Sequence, residues 1–319
     1  MAGLSVIVVG ARTARQGIGE YVAAWFARHG ARVAAVVGTT PATVAQARSA
    51  LRERYDIDCG GYTDLDAALA EVPCDIAVLC SPYRVHAEQL LAVGRSGRHC
   101  LCEKPLVWPA PTGEDPIAPF VSSGRLLEVL TQWPCTLPAS HELHPRAAGA
   151  AVEHFEMRLS PASSGLDMVP DAVPHFLSMI RALVGPGRAS NLDAEFAAAE
   201  PRRLRLACDF VHARGRTRAT LHLETCPRPP RPAWYSINGA RVDREIENPG
   251  YRQFLGAGDR RIALEDPLGL LVGRFLANVA AKRHTDRGAL DQDQELLTVF
   301  YGVAKAASSG LDTRVEDQH

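Results

Sequence analysis

Over roughly its first 130 residues the chain alternates short, wholly apolar runs with helical patterns, and this alternation limits the possible folds more than any other feature. "LSVIVVG" reads as a buried strand, "GIGEYVAAWFARHG" as an amphipathic helix closed by Gly30, and "ARVAAVVG" as a second strand. "TPATVAQARSALRERY" reads as a helix with a Thr cap and Pro41 in its first turn. After "DLDAALAEV" follow the strand "DIAVLCSP", the helix "RVHAEQLLAVGRSG", the strand "HCLCEKP" and, beyond a Pro-rich stretch from Pro109 to Pro116, the strand "RLLEVLTQ". Strands that are apolar on both faces and separated by helices require a parallel sheet covered on both sides, an α/β doubly wound domain.

From Val129 the pattern becomes one of alternating strands: "AVEHFEMRLS", "LDAEFAAA", "RRLRLACDFVHA", "RTRATLHLETC" and "WYSINGARVDREI", the last folded at Asn238-Gly239. "DPLGLLVGRFLANVAA" and "DQDQELLTVFYGVAKAAS" are helical. This predicts an α+β domain with an open, mainly antiparallel sheet, and a length of 319 residues suits two domains, 1–128 and 129–319. The balance of 35 basic against 36 acidic residues argues against a nucleic-acid partner, and the basic residues of "RRLRLACDFVHARGRTR" alternate along strands as a solvated face does. No secretory leader and no spanning segment is evident, so a cytoplasmic protein with no membrane partner is expected. The eight cysteines form no C-x-x-C pair, and His141-Glu-Leu-His144 lacks the spacing of a zinc helix; reduced thiols and no metal are expected.

In a doubly wound sheet the ligand lies beyond the carboxyl ends of the strands, where a glycine-rich turn offers backbone N–H groups to a pyrophosphate. Here that turn runs from Gly10 through Arg12, Thr13, Arg15 and Gly17 to Gly19. It departs from G-x-G-x-x-G in having no glycine between Gly10 and Gly17 and a longer reach to the helix. The second strand ends at Gly38-Thr39-Thr40, where an NAD-binding chain would carry an acid for the ribose 2′-hydroxyl. Small hydroxyl residues there, with Arg12 and Arg15 in the loop, favour NADP over NAD.

Two further strand ends carry Ser81-Pro82 followed by His86, and Glu103-Lys104-Pro105. A strand-end "EKP" after "SP…H" and a nucleotide loop resembles the glucose-fructose oxidoreductase, inositol dehydrogenase and rhizopine-catabolism (Gfo/Idh/MocA) family of two-domain dehydrogenases. The resemblance implies a Rossmann domain, with Ser81, Pro82, His86, Glu103 and Lys104 on the cofactor side and Lys104 between nicotinamide and substrate. A lysine beside a cationic ring has its ammonium form disfavoured, which suits a proton relay. The chain has only three lysines, Lys104, Lys282 and Lys305, and otherwise uses arginine, which cannot deprotonate.

The same resemblance calls for D-x-x-x-H on a helix of the second domain, supplied by Asp171 and His175. Four residues apart, they share a helix face; His175 would exchange a hydroxyl proton while Asp171 orients substrate or imidazole. Val173 and Ser178 stand where many family members have Gly and Asp, and Pro174 precedes His175, departures that leave the substrate open. Gln132, Trp133, His141 and His144 are weaker candidates for the substrate wall. The family commonly assembles through the free face of its second sheet, so a homodimer or homotetramer is expected. The chemistry implied is hydride transfer between nicotinamide and a hydroxyl or carbonyl carbon of a sugar, cyclitol or related small molecule. An imine reductase and a catalytically silent cofactor-binding regulator stay open as alternatives. Tyr301 to Lys305 spells the Tyr-x-x-x-Lys of short-chain dehydrogenases, but on the last helix, outside the nucleotide domain, where Tyr301 reads as core packing.

Overall fold

The computed structural model describes residues 3–11, 17–197, 201–247 and 252–316. The chain forms two compact units, one of residues 1–130 with 268–288, the other of residues 131–267 with 289–319.

The first unit contains β1 (Ser5–Val9), α1 (Gly19–Arg28), β2 (Arg32–Val37), α2 (Pro41–Tyr55), β3 (Gly60–Tyr62), α3 (Leu65–Glu71), β4 (Ile76–Leu79), α4 (His86–Arg95), β5 (His99–Glu103), α5 (Ala118–Ser122) and β6 (Leu127–Leu130). The six strands are parallel, in the order β3-β2-β1-β4-β5-β6. Residues Val6 to Val9, Ile76 to Leu79 and Cys100 to Cys102 are buried, as strands covered on both faces must be. The order reverses between β1 and β4, so the crevice beside their carboxyl ends is where a ligand is received.

The second unit follows with α6 (Leu137–Leu143), β7 (His154–Leu159), α7 (Met168–Val184), β8 (Gly187–Phe196), β9 (Arg203–His212), β10 (Gly215–Glu224), β11 (Ala233–Ile237), β12 (Ala240–Glu247), β13 (Arg252–Ala257) and β14 (Arg260–Ala263). Two helices close the chain, α8 (Pro267–Ala280) and α9 (Arg287–Glu316). The eight strands are ordered β14-β13-β12-β11-β7-β10-β9-β8, antiparallel except for the parallel pair β7–β10. β11 and β12 form the hairpin expected at Asn238-Gly239. α7 lies on β7 and β10, and Phe176 on α7 stacks on Phe155 of β7 at 5.6 Å between centroids, with Phe300 of α9 edge-on at 6.1 Å. The alternate positions of the strands turn Arg158, His222, Glu224 and Trp234 to the opposite face.

The division differs from the sequence reading in two respects. β6 extends to Leu130, and α8 returns to the first unit, where Phe275 meets Phe26 edge-on at 6.3 Å and His29 Nε2 lies 2.9 Å from the Gly269 carbonyl oxygen. α8 is apolar enough to seek a core, but its periodicity does not say whose. Among the described residues no helix is long and apolar enough to cross a membrane.

Candidate active-site elements

The turn after β1 is held against the end of β4. Gly10 has φ 80°, and a Cβ there would come within 2.7 Å of the Cys80 carbonyl oxygen. A Cβ on Gly19, the first residue of α1, would collide with the Gly10 carbonyl oxygen. The two glycines thus let the backbone double back tightly and present the start of α1, whose N-cap Ile18 makes no side-chain cap bond. That is the arrangement a dinucleotide pyrophosphate needs, and Gly17, half-buried beside it, fits as well. Arg12, Thr13 and Arg15 lie outside the described residues. Glu20, 1% exposed in the first turn of α1, is paired with Arg54 at 2.9 Å.

At the end of β2, Thr39 and Thr40 are exposed and Gly38 is half-buried. Thr40 is the N-cap of α2: its Oγ1 accepts from the Thr43 N–H at 3.2 Å while the Thr40 N–H donates to Thr43 Oγ1 at 3.0 Å. Its hydroxyl is therefore engaged in a capping box, and Thr39 is the hydroxyl of this pair that faces outward without that duty.

Beyond β4, Ser81 donates from Oγ to Gln89 Oε1, and Pro82 is exposed. His86, expected on the cofactor side, turns inward and is 0% exposed, with both ring nitrogens against backbone carbonyls. It thus lies on the inner side of the turn, between the ends of β4 and β5. Glu103 and Lys104, at the end of β5, are half-buried, and the Lys104 backbone N–H donates to Glu103 Oε2 at 2.8 Å. Burial pushes the thiols of Cys80, Cys100 and Cys102 well above the usual range, so these stay protonated.

In the second unit Asp171 and His175 are half-buried on α7, which runs unbroken from Met168 to Val184 with Pro174 inside it. Ser163 Oγ donates to Asp171 Oδ2 at 3.0 Å, a partner that nothing in the local pattern signals. Trp133 is 2% exposed, edge-on to Tyr235 at 6.2 Å, with the Arg244 guanidinium 4.7 Å from its ring centroid. It packs in the core of this unit. The neighbouring Gln132 is half-buried, and its Oε1 has no hydrogen-bond partner among the described residues. His141 is half-buried in the last turn of α6, and His144 Nε2 lies 2.8 Å from the Arg241 carbonyl oxygen, near the β11–β12 hairpin. Tyr301 is half-buried, and Phe300 takes the core position expected of it.

Residues 4–129 match the model of an oxidoreductase family with an NAD-binding Rossmann fold, the Gfo/Idh/MocA family. Comparison with curated proteins yields no match. Among solved structures, UDP-N-acetylglucosamine 3-dehydrogenase GnnA from Acidithiobacillus ferrooxidans is similar over 98% of this chain and 99% of its own, at 21% identity and a TM-score of 0.71. A levoglucosan dehydrogenase in complex with NADH and levoglucosan is similar over 96% of this chain and 98% of its own, at 14% identity and a TM-score of 0.69. A probable dehydrogenase from Thermotoga maritima gives 14% identity and a TM-score of 0.71 over 96% and 97% of the two chains. At these identities the likeness is one of fold, and it extends over both units.

Proposed function

We propose, from the match of residues 4–129 to the NAD-binding Rossmann model of the Gfo/Idh/MocA oxidoreductase family, that the chain is a nicotinamide-dependent dehydrogenase of a sugar, cyclitol or related polyol. The observation that carries this reading is Lys104, an amine at the carboxyl end of β5 on the ligand-receiving edge of the sheet, in a chain that elsewhere prefers arginine. Sugar substrates are named for two proteins of like fold, levoglucosan dehydrogenase and UDP-N-acetylglucosamine 3-dehydrogenase, which supports this substrate class.

A bound nicotinamide supplies the hydride acceptor or donor. Lys104 serves as a proton relay at Nζ, and Glu103 accepts the Lys104 backbone N–H and steadies the turn. His175 exchanges the hydroxyl proton at its imidazole, oriented by Asp171, which is itself held by Ser163. Arg12 and Thr39 favour a 2′-phosphate, so NADP is the preferred cofactor. The neighbour crystallised with NADH makes the contrast worth measuring. A second copy of the chain is the proposed partner of the free sheet face, in a homodimer or homotetramer.

The test follows nicotinamide absorbance with NADPH and NADH against sugars, keto-sugars, cyclitols and imines. Turnover with a polyol or keto-sugar supports the reading; turnover with imines alone assigns imine reduction, and dinucleotide binding without any turnover assigns a regulator. Arg12→Ala should raise KM for NADPH more than for NADH, and equal losses remove the 2′-phosphate role.

A further inference from the structure

His86 is a fully buried titratable residue that the proposed chemistry does not use. It opens α4, and its ring is wedged between two strand-end turns. Nε2 lies 2.9 Å from the carbonyl oxygen of Ser81, in the turn after β4. Nδ1 lies 3.0 Å from the carbonyl oxygen of Pro105, in the turn after β5, with Cys102 Sγ at 3.4 Å. Carbonyl oxygens only accept, so any bond to them is donated by a ring N–H. A neutral ring donates to only one carbonyl; donated from Nδ1, the bond fastens the Pro105 peptide to the start of α4, five residues after Ser81, and only a protonated ring bonds both turns.

Resting on the reading of Lys104 given above, we infer that His86 is a positioning residue: by donating from Nδ1 it ties the Pro105 peptide to the start of α4, while the other edge of its ring packs against the Ser81 turn, and so it sets where the Lys104 amine stands. Pro105 follows Lys104 directly, so the tie acts one peptide bond from the lysine backbone. Two further bonds stiffen the frame. Ser81 Oγ donates to Gln89 Oε1 on α4, and the Lys104 N–H donates to Glu103 Oε2. The frame thus joins β4, α4 and β5, and the lysine projects from it. A displacement of about 1 Å at a reacting group costs on the order of 100-fold in rate, which is the scale on which such a frame acts.

The test uses the scarcity of lysine. Reductive methylation with isotopically labelled formaldehyde gives dimethyl-lysine signals for Lys104, Lys282 and Lys305 only, besides that of the amino terminus. Lys104→Arg identifies the Lys104 signal by its loss. In full-length His86→Leu the Lys104 signal should move and titrate at a different pH, while those of Lys282 and Lys305 stay in place and report an intact fold. The kcat should fall by about 10-fold or more with the KM for dinucleotide changed by less than about 3-fold. His86→Gln, whose amide keeps donors, should restore part of both, and it carries the test by itself where His86→Leu does not fold. An unmoved Lys104 signal with unchanged kcat in a folded variant overturns the inference. A moved signal in a protein that turns over nothing upholds the positioning and removes the dehydrogenase reading instead.

Discussion

Gly10 and Cys80 meet so closely that a methyl group on the glycine would come within 2.7 Å of the Cys80 carbonyl oxygen. The contact joins the ends of β1 and β4, the two strands that flank the reversal in strand order. In Gly10→Ala the side chain would also sit at φ 80°, a conformation costing about 1–2 kcal/mol for an L-residue before any clash is relieved. The thermal midpoint should drop by several degrees, roughly 2–4 °C per kcal/mol for a domain of this size. Dinucleotide affinity, read from nicotinamide fluorescence, should fall with it. A variant with the parent's midpoint and affinity would remove this turn from cofactor binding.

Lys104 can be tested for proton transfer apart from charge. Lys104→Met should lower kcat by about 100- to 10,000-fold, the usual range for loss of a general acid or base, with dinucleotide binding retained. Lys104→Arg keeps the cation but cannot release its proton, so it should be nearly as impaired. A Lys104→Arg enzyme working at the parent's rate would mean that the side chain contributes charge alone.

The first sheet was legible because a parallel strand buried on both faces is apolar throughout, and four of its strands, β1, β2, β4 and β5, end at residues with evident chemistry or glycine. β13 and β14 were not read: they are short, carry Arg252, Arg260 and Arg261, and owe their place to pairing with β12. The parallel β7–β10 pair is equally invisible, since strand direction follows from connections and not from local pattern. Trp133 and His86 show the same limit at the site. A tryptophan beside a glutamine, or a histidine after Ser-Pro, reads as a ligand contact, and nothing in the local pattern signals Tyr235 against the one or the two carbonyls beside the other.

Stability should decline on mild acidification. His86 and His99 are buried, and burial is the largest cause holding both below the ordinary histidine pKa; on His99 the Arg125 guanidinium acts in the same sense. The unfolded chain takes up these protons near pH 6.5, the folded one only at lower pH. Their contribution is therefore fully present above about pH 6.5 and is lost as pH falls through the folded values. Carboxylates held low, such as Asp209 by the Asn191 amide and Glu224 by Arg203, act only at more acid pH. Thermal midpoints between about pH 7.5 and 5 check this. His99→Asn can keep an acceptor for the Leu126 N–H, which donates to Nδ1 at 3.0 Å, and should show a shallower slope.

Phe176 follows His175 on α7 and has the opposite surroundings, fully buried between Phe155 and Phe300 where the histidine is half-buried. The ring anchors α7 to β7 and to α9, so it fixes the rotation of the helix and hence the direction in which Asp171 and His175 face. Phe176→Ala should cost about 3–5 kcal/mol, the range for truncating a buried aromatic ring. Phe176→Leu fills most of the space and should cost less, yet it loses the stacked contact at 5.6 Å and loosens the helix face. For Phe176→Leu at a temperature where it remains folded, kcat should fall while dinucleotide affinity holds, because the dinucleotide is assigned to the first unit. A parallel loss of dinucleotide affinity would show that the anchor acts on more than α7.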